Sequence, residues 1–534
     1  MKILWGQEIR MRDGVILIAD LFLPEVERTF PALVVRTPYG RQAENLNQQA
    51  NFFASHGYAV VNVDVRGRGD SDGKFEPYRN EGKDGYDTIE WVAAQSWCDE
   101  NVGTIGGSYL GKVQWLTALE KPPHLKAMIP LVSPSDPFVE WPTGSPTPSH
   151  LCWLFLTSGR QVQNIHAVDW QTIYEHLPLL TMDHAAGRSI PAWREEFEHT
   201  LLDDWWLKVC YQSRLDEIDL PVLHISGWYD DEEIGTPLNF SRMADHAKHQ
   251  RLIMGPWEHR VNISKKIGDN DFGPQAVIDL YAEELRFFDR WLKNISNGID
   301  MEDPVRIFVM GKNEWRNERG WPLSRTNFTR WYLQSDGKLN VCKPEIGEAF
   351  DSYTYDPKNP TPFLTKPTSE QIGGPDDYRK VHEQDDILVY TSDVLQEPLE
   401  VTGPINIELF AKTSAKDTDF MAMLFDVWPN GFVQRLCDGM VRARFRNGID
   451  HEDFVEPGAI EEYKINLWDT SHVFLPGHKV RVHIASSAFP KYDRNLNTGD
   501  RFADSVEVVC AKQTIFHDKD HSSAIILPVI NYPK

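Results

Sequence analysis

Glycines surround a serine in the stretch Asn101–Trp115, which reads NVGTIGGSYLGKVQW. An apolar run precedes this serine, Ser108, and a stretch with helical spacing follows it. Three structures fit such a junction: a plain turn, a loop that cradles phosphate, or a strained elbow that presents Ser108 as a nucleophile. The choice among them decides which chemistry this part of the chain can perform.

The phosphate-loop interpretation is the weakest, although Gly106–Lys112 spells G-x-x-x-x-G-K. A P-loop needs a Ser or Thr hydroxyl next to hold magnesium, and the next residue is Val113. An elbow needs a strand, a small residue two places before the serine and a helix N-terminus that stabilises developing negative charge. The preceding strand, Gly106 and the helix from Tyr109 meet these needs. Leu110 stands where a second glycine is usual, so the motif taken alone fits a structural turn equally well.

Two further strand ends supply the acid and the base that a serine nucleophile needs. In the α/β-hydrolase order of serine, acid and histidine, each residue follows a strand, because side chains converge at the carboxyl edge of a parallel sheet. Asp230 in GWYDDEEIG and His259 in GPWEHRVN follow the next two strands. His259 would take the Ser108 proton, and Asp230 would hold the imidazole tautomer. His224, inside its strand, is expected in the core.

An oxyanion formed at Ser108 also needs hydrogen-bond donors. The backbone N–H of Tyr109 is the expected first donor, because it directly follows the nucleophile. The loop RTPYGR offers Tyr39 as the second, although a packing aromatic with a solvated hydroxyl fits Tyr39 as well. His517 and His521 in FHDKDHSS indicate a solvated turn rather than a metal site. The Arg-Gly-Asp tripeptide at 68–70 indicates a loop held by local bonds.

Composition limits the partners of the chain. Its 534 residues, 41% hydrophobic and 25% charged, predict about three domains of a globular protein. A net charge of −24 argues against nucleic acid and anionic membranes as partners and favours small molecules, cationic ones among them. The start of the chain shows no apolar targeting segment, which predicts a cytoplasmic location. Six scattered cysteines predict reduced, buried thiols.

Strands and helices alternate in residues 1–135, which predicts a largely parallel sheet covered on both faces. Helical sequence rich in Trp, Pro and His interrupts this pattern over 136–216 and predicts an insertion above one end of the sheet. The α/β pattern returns over 217–303, where an amphipathic helix, Ala276–Lys293, would complete it. Short strands with turn signals then fill 304–534, beginning with VRIFVMG, as expected of an antiparallel β-sandwich.

Many of these segments resemble the family of bacterial cocaine esterases and X-Pro dipeptidyl-peptidase-like (CocE/NonD) hydrolases. The likeness runs through RTPYGR, HGYAVVNVDVRGRGDSDGKF, WCDENVGTIGGSYLGKVQW, GWYDDEE, GPWEH and FLPGHKVRVHIASSAFPKYDRNLNTG, so it covers nearly the whole chain except the insertion. The resemblance implies an α/β-hydrolase core, an inserted helical cap and a C-terminal jelly-roll sandwich. It also implies a triad of Ser108, Asp230 and His259, an oxyanion hole of Tyr39 and Tyr109, and an acyl-enzyme route that uses no cofactor and no metal.

Within that family, the α-amino acid ester hydrolases bind a substrate ammonium with carboxylates two and three places after the triad aspartate. Here those places hold Glu232 and Glu233. A third carboxylate belongs early in the cap, where Glu140 is the nearest residue and Asp136 is a rival. Clustered acids repel one another unless a cation joins them, so an acyl donor with a free amino group would gain affinity there. A solvated acidic turn explains DDEE equally well.

Cap aromatics complete the expected site: Trp141, with Trp153 and Phe155, would shape the acyl pocket, although aromatic residues in helices are often core residues. The favoured function is a serine hydrolase acting on a small-molecule ester, amide or short peptide, and a homo-oligomer is compatible with the sequence. The alternatives are an X-Pro dipeptidyl-peptidase, an acyltransferase that uses the same acyl-enzyme and, from another class, a carbohydrate-binding protein built on the jelly roll.

Overall fold

A ten-stranded sheet forms the framework of the N-terminal half. The protein is described by a computed structural model over residues 1–26, 28–365 and 373–531. Strands β9 and β10 form a separate small hairpin, and the other ten strands of this half form the sheet. The strands are β1 (Lys2–Arg10), β2 (Ile16–Leu23), β3 (Phe30–Thr37), β4 (Ala59–Asp64), β5 (Cys98–Gly107), β6 (Leu125–Leu131), β7 (Val222–Gly227), β8 (Gln250–Gly255), β9 (Lys266–Ile267), β10 (Asn270–Asp271), β11 (Val305–Val309) and β12 (Glu314–Glu318).

The order of strands in this sheet is β1-β2-β4-β3-β5-β6-β7-β8-β11-β12. Strands β4 to β11 of that order run parallel, whereas β1, β2 and β12 add antiparallel edges. Every residue of β3 and β4 is buried, as expected for parallel strands covered on both faces. This arrangement confirms the α/β class predicted from the alternation of strands and helices.

Helices cover both faces of the sheet and form the cap above it. They are α1 (Glu44–Ser55), α2 (Glu81–Ala93), α3 (Tyr109–Leu119), then the cap helices α4 (Pro137–Glu140), α5 (Pro148–Thr157), α6 (Trp170–Tyr174), α7 (Met182–Ala185), α8 (Pro191–Glu196) and α9 (Asp204–Leu207), and finally α10 (Gly235–Ala244) and α11 (Leu280–Trp291). The predicted amphipathic helix at 276–293 is therefore present but shorter. No helix in the described ranges is both long and apolar enough to cross a bilayer.

An eleven-stranded sandwich forms the C-terminal part. Its strands are β13 (Thr326–Gln334), β14 (Lys338–Asn340), β15 (Phe350–Tyr355), β16 (Leu388–Thr391), β17 (Leu399–Thr413), β18 (Asp419–Val427), β19 (Val433–Arg442), β20 (Glu461–Phe474), β21 (Lys479–Ala485), β22 (Ala511–Phe516) and β23 (Ala524–Ile530). They enclose a core of their own, and a second apolar cluster joins Phe445, Phe489 and Phe502 to the aromatic residues of the cap. The cap thus packs on the sandwich as well as on the sheet.

One strand lies in a different sheet from the one expected. The segment VRIFVMG was expected to open the sandwich, and that expectation is wrong. Strand β11 pairs in parallel with β8, with Val305 opposite Leu252, and β12 extends the same sheet. A five-residue apolar strand does not encode its partner, so the sequence pattern could not distinguish the two sheets. The domain boundaries drawn at 135, 216 and 303 remain predictions.

Several single-residue expectations also have outcomes. His224 is buried and contacts the Gln250 amide at 3.0 Å, as expected of a core residue. Cys342 and Cys510 are exposed, so burial was wrong for two of the six free cysteines. His517 is buried and lies 3.0 Å from the Asp351 carboxylate rather than in a solvated turn.

Candidate active site

Ser108 lies in a strained turn between β5 and α3. Its φ is 60° and its ψ is −129°, a conformation that residues other than glycine rarely adopt. A Cβ at Gly106, whose φ is 153°, would lie 2.5 Å from the Cβ of Leu110, so only glycine fits there. Strand, sharp turn and helix together form a nucleophile elbow, which raises the Ser108 side chain above the carboxyl edge of the sheet.

Gly111 explains why the usual glycine spacing is shifted by one residue. A Cβ at Gly111 would lie 2.9 Å from the Leu131 carbonyl oxygen and 3.0 Å from Ser133 Cβ, because α3 crosses the end of β6 there. The next residue, Lys112, is buried and donates a hydrogen bond to the Ser135 carbonyl at 2.6 Å. Its ammonium therefore packs into the base of the cap, and the phosphate-loop interpretation has no support.

The acid and the imidazole are in direct contact. His259 Nδ1 lies 2.8 Å from Asp230 Oδ1, and the Ser226 hydroxyl donates to the other Asp230 oxygen at 2.7 Å. Gly227, the last residue of β7, permits this approach, because a Cβ there would lie 2.2 Å from the Trp257 carbonyl oxygen. Ser108 and His259 line one cavity of about 1430 Å³.

The Tyr39 hydroxyl shares a hydrogen bond with Ser108 and accepts another from Trp153 Nε1 at 2.9 Å. Burial raises the pKa of Tyr39, so its phenol stays protonated at neutral pH and can donate. The backbone N–H of Tyr109 begins α3 and has no acceptor within the helix. Both donors sit beside the serine, which is the arrangement that an oxyanion hole requires. Trp153, which positions Tyr39, was not predicted in that role.

Six carboxylate residues line the cavity, and three of them, Glu140, Asp231 and Glu232, interact electrostatically with one another. Asp231 Oδ1 lies 3.3 Å and Glu232 Oε2 lies 4.0 Å from His259 Nδ1, while Glu140 accepts the backbone N–H of Ser135. Asp231 Oδ1 and Glu232 Oε2 are buried and have no hydrogen-bond partner within the described residues. Buried polar atoms nearly always have a partner, so these oxygens are suited to a ligand or to water.

Two of the predicted carboxylates face elsewhere. Glu233 is buried and accepts the Asp469 backbone N–H at 3.4 Å, beside a second cavity of only about 20 Å³. Asp136 accepts the backbone N–H groups of Tyr211 at 2.8 Å and Gln212 at 3.1 Å, which closes the base of the cap. The expectation for Glu233 therefore requires correction: Asp231 occupies the cavity instead. Four consecutive acids gave no signal for which of them face inward.

The electrostatics of the cluster are dominated by burial and by mutual repulsion. Burial raises the pKa of Glu140 to about 8, although the Lys112 ammonium opposes the shift. Burial also raises the pKa of Glu232 well above its usual value, and Glu140 adds to the shift. Burial disfavours the charged form of His259, yet the carboxylates of Asp231, Glu232 and Asp230 outweigh it and raise the pKa of His259 well above its usual value.

Aromatic rings form the wall of the cavity above Ser108. Trp141 is 9% exposed and packs edge-on against His150 and Trp206, with ring centroids 4.8 and 5.7 Å apart. Trp153 stacks on Tyr109 at 5.8 Å. The remaining predicted aromatic, Phe155, packs against Trp170 inside the cap at 5.5 Å and so belongs to the core.

The sandwich closes one side of the same cavity. Trp468 reaches the lining from β20, and Lys491 and Tyr492 reach it from the loop after β21. Lys491 is buried, donates to Asp438 Oδ1 at 2.6 Å and lies 4.5 Å from the centre of the Trp468 ring. These residues fall in segments that sequence reasoning used only for the family likeness, because nothing in their local pattern indicates contact with a distant serine.

One trio in the site has the spacing of a metal-binding group. Asp230, Asp231 and His259 each offer a ligand atom, and these atoms lie within 4.8 Å of one another. An ion there would compete with Asp230 for the Nδ1 of His259, which disrupts the contact described above. The expectation of no metal and no cofactor remains a prediction.

Comparison with known proteins places this geometry in a family. Residues 13–261 match the model of the X-Pro dipeptidyl-peptidase (S15 family), and residues 297–526 match its C-terminal non-catalytic domain. A cocaine esterase from Rhodococcus sp. (strain MB1 Bresler) is 36% identical, over 98% of this chain and 97% of that protein.

Two solved structures have the same fold over nearly the whole chain. An aminopeptidase from a marine sediment Thaumarchaeota archaeon superposes with a TM-score of 0.90 and 26% identity, over 98% of this chain and 96% of that one. An α-amino acid ester hydrolase superposes with a TM-score of 0.87 and 25% identity, over 99% and 96%. The chain therefore belongs to the S15 family of serine hydrolases that includes cocaine esterase.

Proposed function

We propose that the protein hydrolyses esters or amides through an acyl-enzyme on Ser108. His259 takes the hydroxyl proton as Ser108 attacks the carbonyl carbon, and later gives it to the leaving group. Asp230 fixes the imidazole orientation through its 2.8 Å contact with Nδ1. Tyr39 and the Tyr109 N–H stabilise the oxyanion. Water then attacks the ester of Ser108 and releases the acid.

We further propose that the acyl part carries a free amino group, which Glu140, Asp231 and Glu232 bind as an ammonium. The observation that carries this proposal is the pair of buried, unpartnered oxygens on Asp231 and Glu232 beside the imidazole. A cation relieves the repulsion among these carboxylates and supplies the missing hydrogen-bond donors. Trp141 and the other cap aromatics would then contact the acyl side chain.

The relatives divide between the alternatives. The printed name of one is a cocaine esterase, that of another an α-amino acid ester hydrolase and that of a third an aminopeptidase. A putative Xaa-Pro dipeptidyl-peptidase from Bacillus anthracis is only 21% identical. The unpartnered carboxylates favour the three classes whose substrates have a free amino group, namely the ester hydrolase, the aminopeptidase and the dipeptidyl-peptidase, and acyl transfer to an amine would use the same acyl-enzyme. A carbohydrate-binding protein has no use for the serine site.

The proposed ammonium site is tested with Glu232→Gln and two esters that differ only in whether the acyl part has a free or an acetylated amino group. The variant loses a charge-assisted contact, so we expect KM for the free-amino ester to rise about 10-fold relative to the acetylated ester. The ratio of the two KM values is the readout, and it is measured at a pH above the acid limbs of both esters, so that the protonation of His259 does not contribute to the ratio.

Glu233→Gln is the matched control. This neighbouring acid has the same chemistry but faces the small cavity beside Asp469, so the KM ratio should stay within about twofold of the wild-type ratio. Ser108→Ala should lose turnover of both esters. An unchanged ratio in Glu232→Gln, or an equal change in Glu233→Gln, contradicts the ammonium site and leaves the hydrolase proposal standing.

A further inference from the structure

Two arginines with neutral partners line the part of the cavity beside the loop after β4 and the end of α5. Arg160 donates to the carbonyls of Gly69 at 3.1 Å and Ser71 at 2.6 Å. Arg188 donates to the Gln163 side-chain oxygen at 2.9 Å and to the Ser158 carbonyl at 3.4 Å. Both guanidinium groups line the cavity.

Arg160 is exposed and Arg188 is half-buried, and neither has an acidic partner in the described part of the chain, in which most other buried or half-buried arginines form ion pairs. The other acids of this part of the lining have partners of their own. Glu76 pairs with Lys74 at 2.9 Å, Glu196 contacts His150 at 3.0 Å and Glu195 accepts from Trp205 Nε1 at 3.3 Å. Unpaired positive charge in this part of the cavity is notable in a protein with a net charge of −24.

A third arginine, Arg68, holds together the two backbone segments that surround Arg160 and Arg188. Arg68 is fully buried and donates to the carbonyls of Pro38, Thr157 and Gly159. These bonds tie the loop after β4 to the end of cap helix α5, so the local bonds expected for the Arg-Gly-Asp tripeptide are replaced by long-range ones. Gly159 leaves room for Arg188, because a Cβ there would lie 3.2 Å from the Arg188 nitrogen.

The sheet order places the arginines and the carboxylates on opposite sides of the serine. Arg160 is bonded to the loop after β4, whereas Asp231 and Glu232 follow β7, and Ser108 follows β5. In the order β4-β3-β5-β6-β7, the serine lies two strands from each end. At roughly 4.8 Å per strand, β4 and β7 each lie about 10 Å from β5.

We propose that Arg160 and Arg188 form an anion subsite that binds a carboxylate on the leaving-group part of the substrate. The inference rests on the proposed function, because an ammonium on the acyl side leaves the opposite side of Ser108 for the leaving group. Two planar guanidinium groups match the geometry of a carboxylate, and neutral partners leave their charge available. The substrate is therefore dipolar, with a cationic acyl end and an anionic leaving group.

The cavity has room for such a molecule. Its volume of about 1430 Å³ exceeds the roughly 300–1,000 Å³ that is typical of small-molecule sites. An extended peptide advances about 3.3 Å per residue, so a carboxylate about 10 Å beyond the scissile bond corresponds to a leaving group of three residues. The carboxylate could belong to the C-terminus of such a peptide or to the alcohol of an ester.

The test compares two alanyl esters of an ω-hydroxyalkanoic acid whose chain spans about 10 Å, one with the free carboxylate and the other with a carboxamide. We expect the wild type to show the lower KM for the carboxylate. In Arg160→Gln/Arg188→Gln, KM for the carboxylate ester should rise about 10-fold or more, and KM for the carboxamide should stay within about twofold. Arg214→Gln, which removes an exposed surface arginine, should change neither value.

Binding measured on Ser108→Ala, with and without the arginine substitutions, gives a readout that is independent of turnover. If the double variant does not fold, the single variants Arg188→Gln and Arg188→Lys replace it in the test. Arg188→Lys keeps a positive charge, so it should retain part of the preference for the carboxylate ester over the carboxamide ester. A wild type that binds both esters equally, or a double variant that weakens both equally, overturns the anion subsite while the hydrolase proposal stands. A wild type that cleaves neither alanyl ester overturns the proposed function as well.

A second arm distinguishes the two sources of the carboxylate. Alanyl-triglycine and its C-terminal amide are offered to the wild type and to the double variant. Cleavage of the free acid, with a loss of preference in the double variant, assigns the subsite to a peptide C-terminus. A preference for the carboxylate that is seen with the two esters but not with the two peptides assigns the subsite to the carboxylate of an acidic alcohol. Absence of any carboxylate preference in both pairs overturns the proposal.

Discussion

At the residue scale, the protonation state of His259 controls the chemistry. A general base must be neutral before it can accept the Ser108 proton, but the neighbouring carboxylates raise the pKa of His259. A cation bound to those carboxylates would lower that pKa again. Binding of the proposed ammonium would therefore also favour the neutral form of His259, which is the form that can accept the Ser108 proton.

This coupling predicts the pH dependence of hydrolysis. For a neutral ester, we expect the acid limb of kcat/KM in the wild type to lie above the ordinary histidine pKa, because the free enzyme must lose the His259 proton. Glu232→Gln removes a negative charge that stabilises the charged imidazole of His259, so the acid limb of kcat/KM should move to lower pH.

The measurement is a pH profile of kcat/KM for the acetylated ester in the wild type and in Glu232→Gln. Glu233→Gln serves as the control and should leave the limb in place. For the free-amino ester, the limb of kcat should lie below that of kcat/KM. A limb that does not move in Glu232→Gln would show that this carboxylate does not act on the imidazole.

The sequence predicted the three residues of the proposed triad but not the whole acidic cluster. Ser108, Asp230 and His259 follow successive strand ends, and the topology of a parallel sheet brings such positions together. Asp231 was not identified, because the run of acids after β7 turns through a loop whose side-chain directions have no sequence periodicity. The backbone of that loop, rather than composition, decides which acid faces the imidazole.

At the element scale, the junction of β5 and α3 depends on how closely the helix approaches β6. Gly111 permits that approach, with the Leu131 carbonyl 2.9 Å from the position of a Cβ. The carbonyl belongs to a buried strand and cannot move away easily. The position of α3, and with it the Ser108 side chain, thus depends on the contact between Gly111 and the end of β6.

Gly111→Ala should therefore displace α3. We expect kcat to fall about 10-fold or more, because misplacement of the nucleophile is costly, and the free energy of unfolding to fall by about 1–3 kcal/mol. Both are measured on the purified variant, by steady-state kinetics and by urea unfolding. Gly187→Ala, at a cap position with open space around it but with a φ of 79°, is the comparison for backbone strain alone. Full activity in Gly111→Ala would contradict the close approach.

Element types were more predictable than element partners. Periodicity identified α11 because that helix buries one face, whereas α3 and the parallel strands are buried on all sides and were identified as apolar runs between turn signals. Strand β11 was assigned to the other sheet, since its alternation is the same whether it pairs with β8 or within a sandwich. Pairing over such a distance is decided by tertiary packing, which one sequence does not display.

At the scale of the whole molecule, the sandwich contributes to the electrostatics of the catalytic cavity. Lys491 enters the lining from the sandwich and lies close enough to Asp231 for the two charges to interact. Its partner Asp438 also accepts a hydrogen bond from Arg435 at 2.6 Å. A distant domain thus reduces the negative charge around the substrate.

Lys491→Met removes that charge while retaining an apolar stem. We expect KM for the free-amino ester to fall several-fold relative to the acetylated ester, because the cavity becomes more negative. The free energy of unfolding should fall by about 1–3 kcal/mol, since Asp438 keeps only one cationic partner. The KM ratio and urea unfolding check both expectations, and an unchanged ratio would show that the sandwich does not influence the site.

The two halves are joined by more than a covalent linker. Directly after β11, the Met310 N–H donates to the Ser471 carbonyl at 2.9 Å, and the Val473 N–H donates to the Met310 carbonyl at 2.8 Å. A chimera that exchanges C-terminal modules between hydrolases at residue 304 would strip β8 of its neighbour and leave a bare sheet edge, which promotes aggregation. Grafts cut after Glu318 would carry β11 and β12 with the catalytic half, and they would need a compatible β20 on the incoming module.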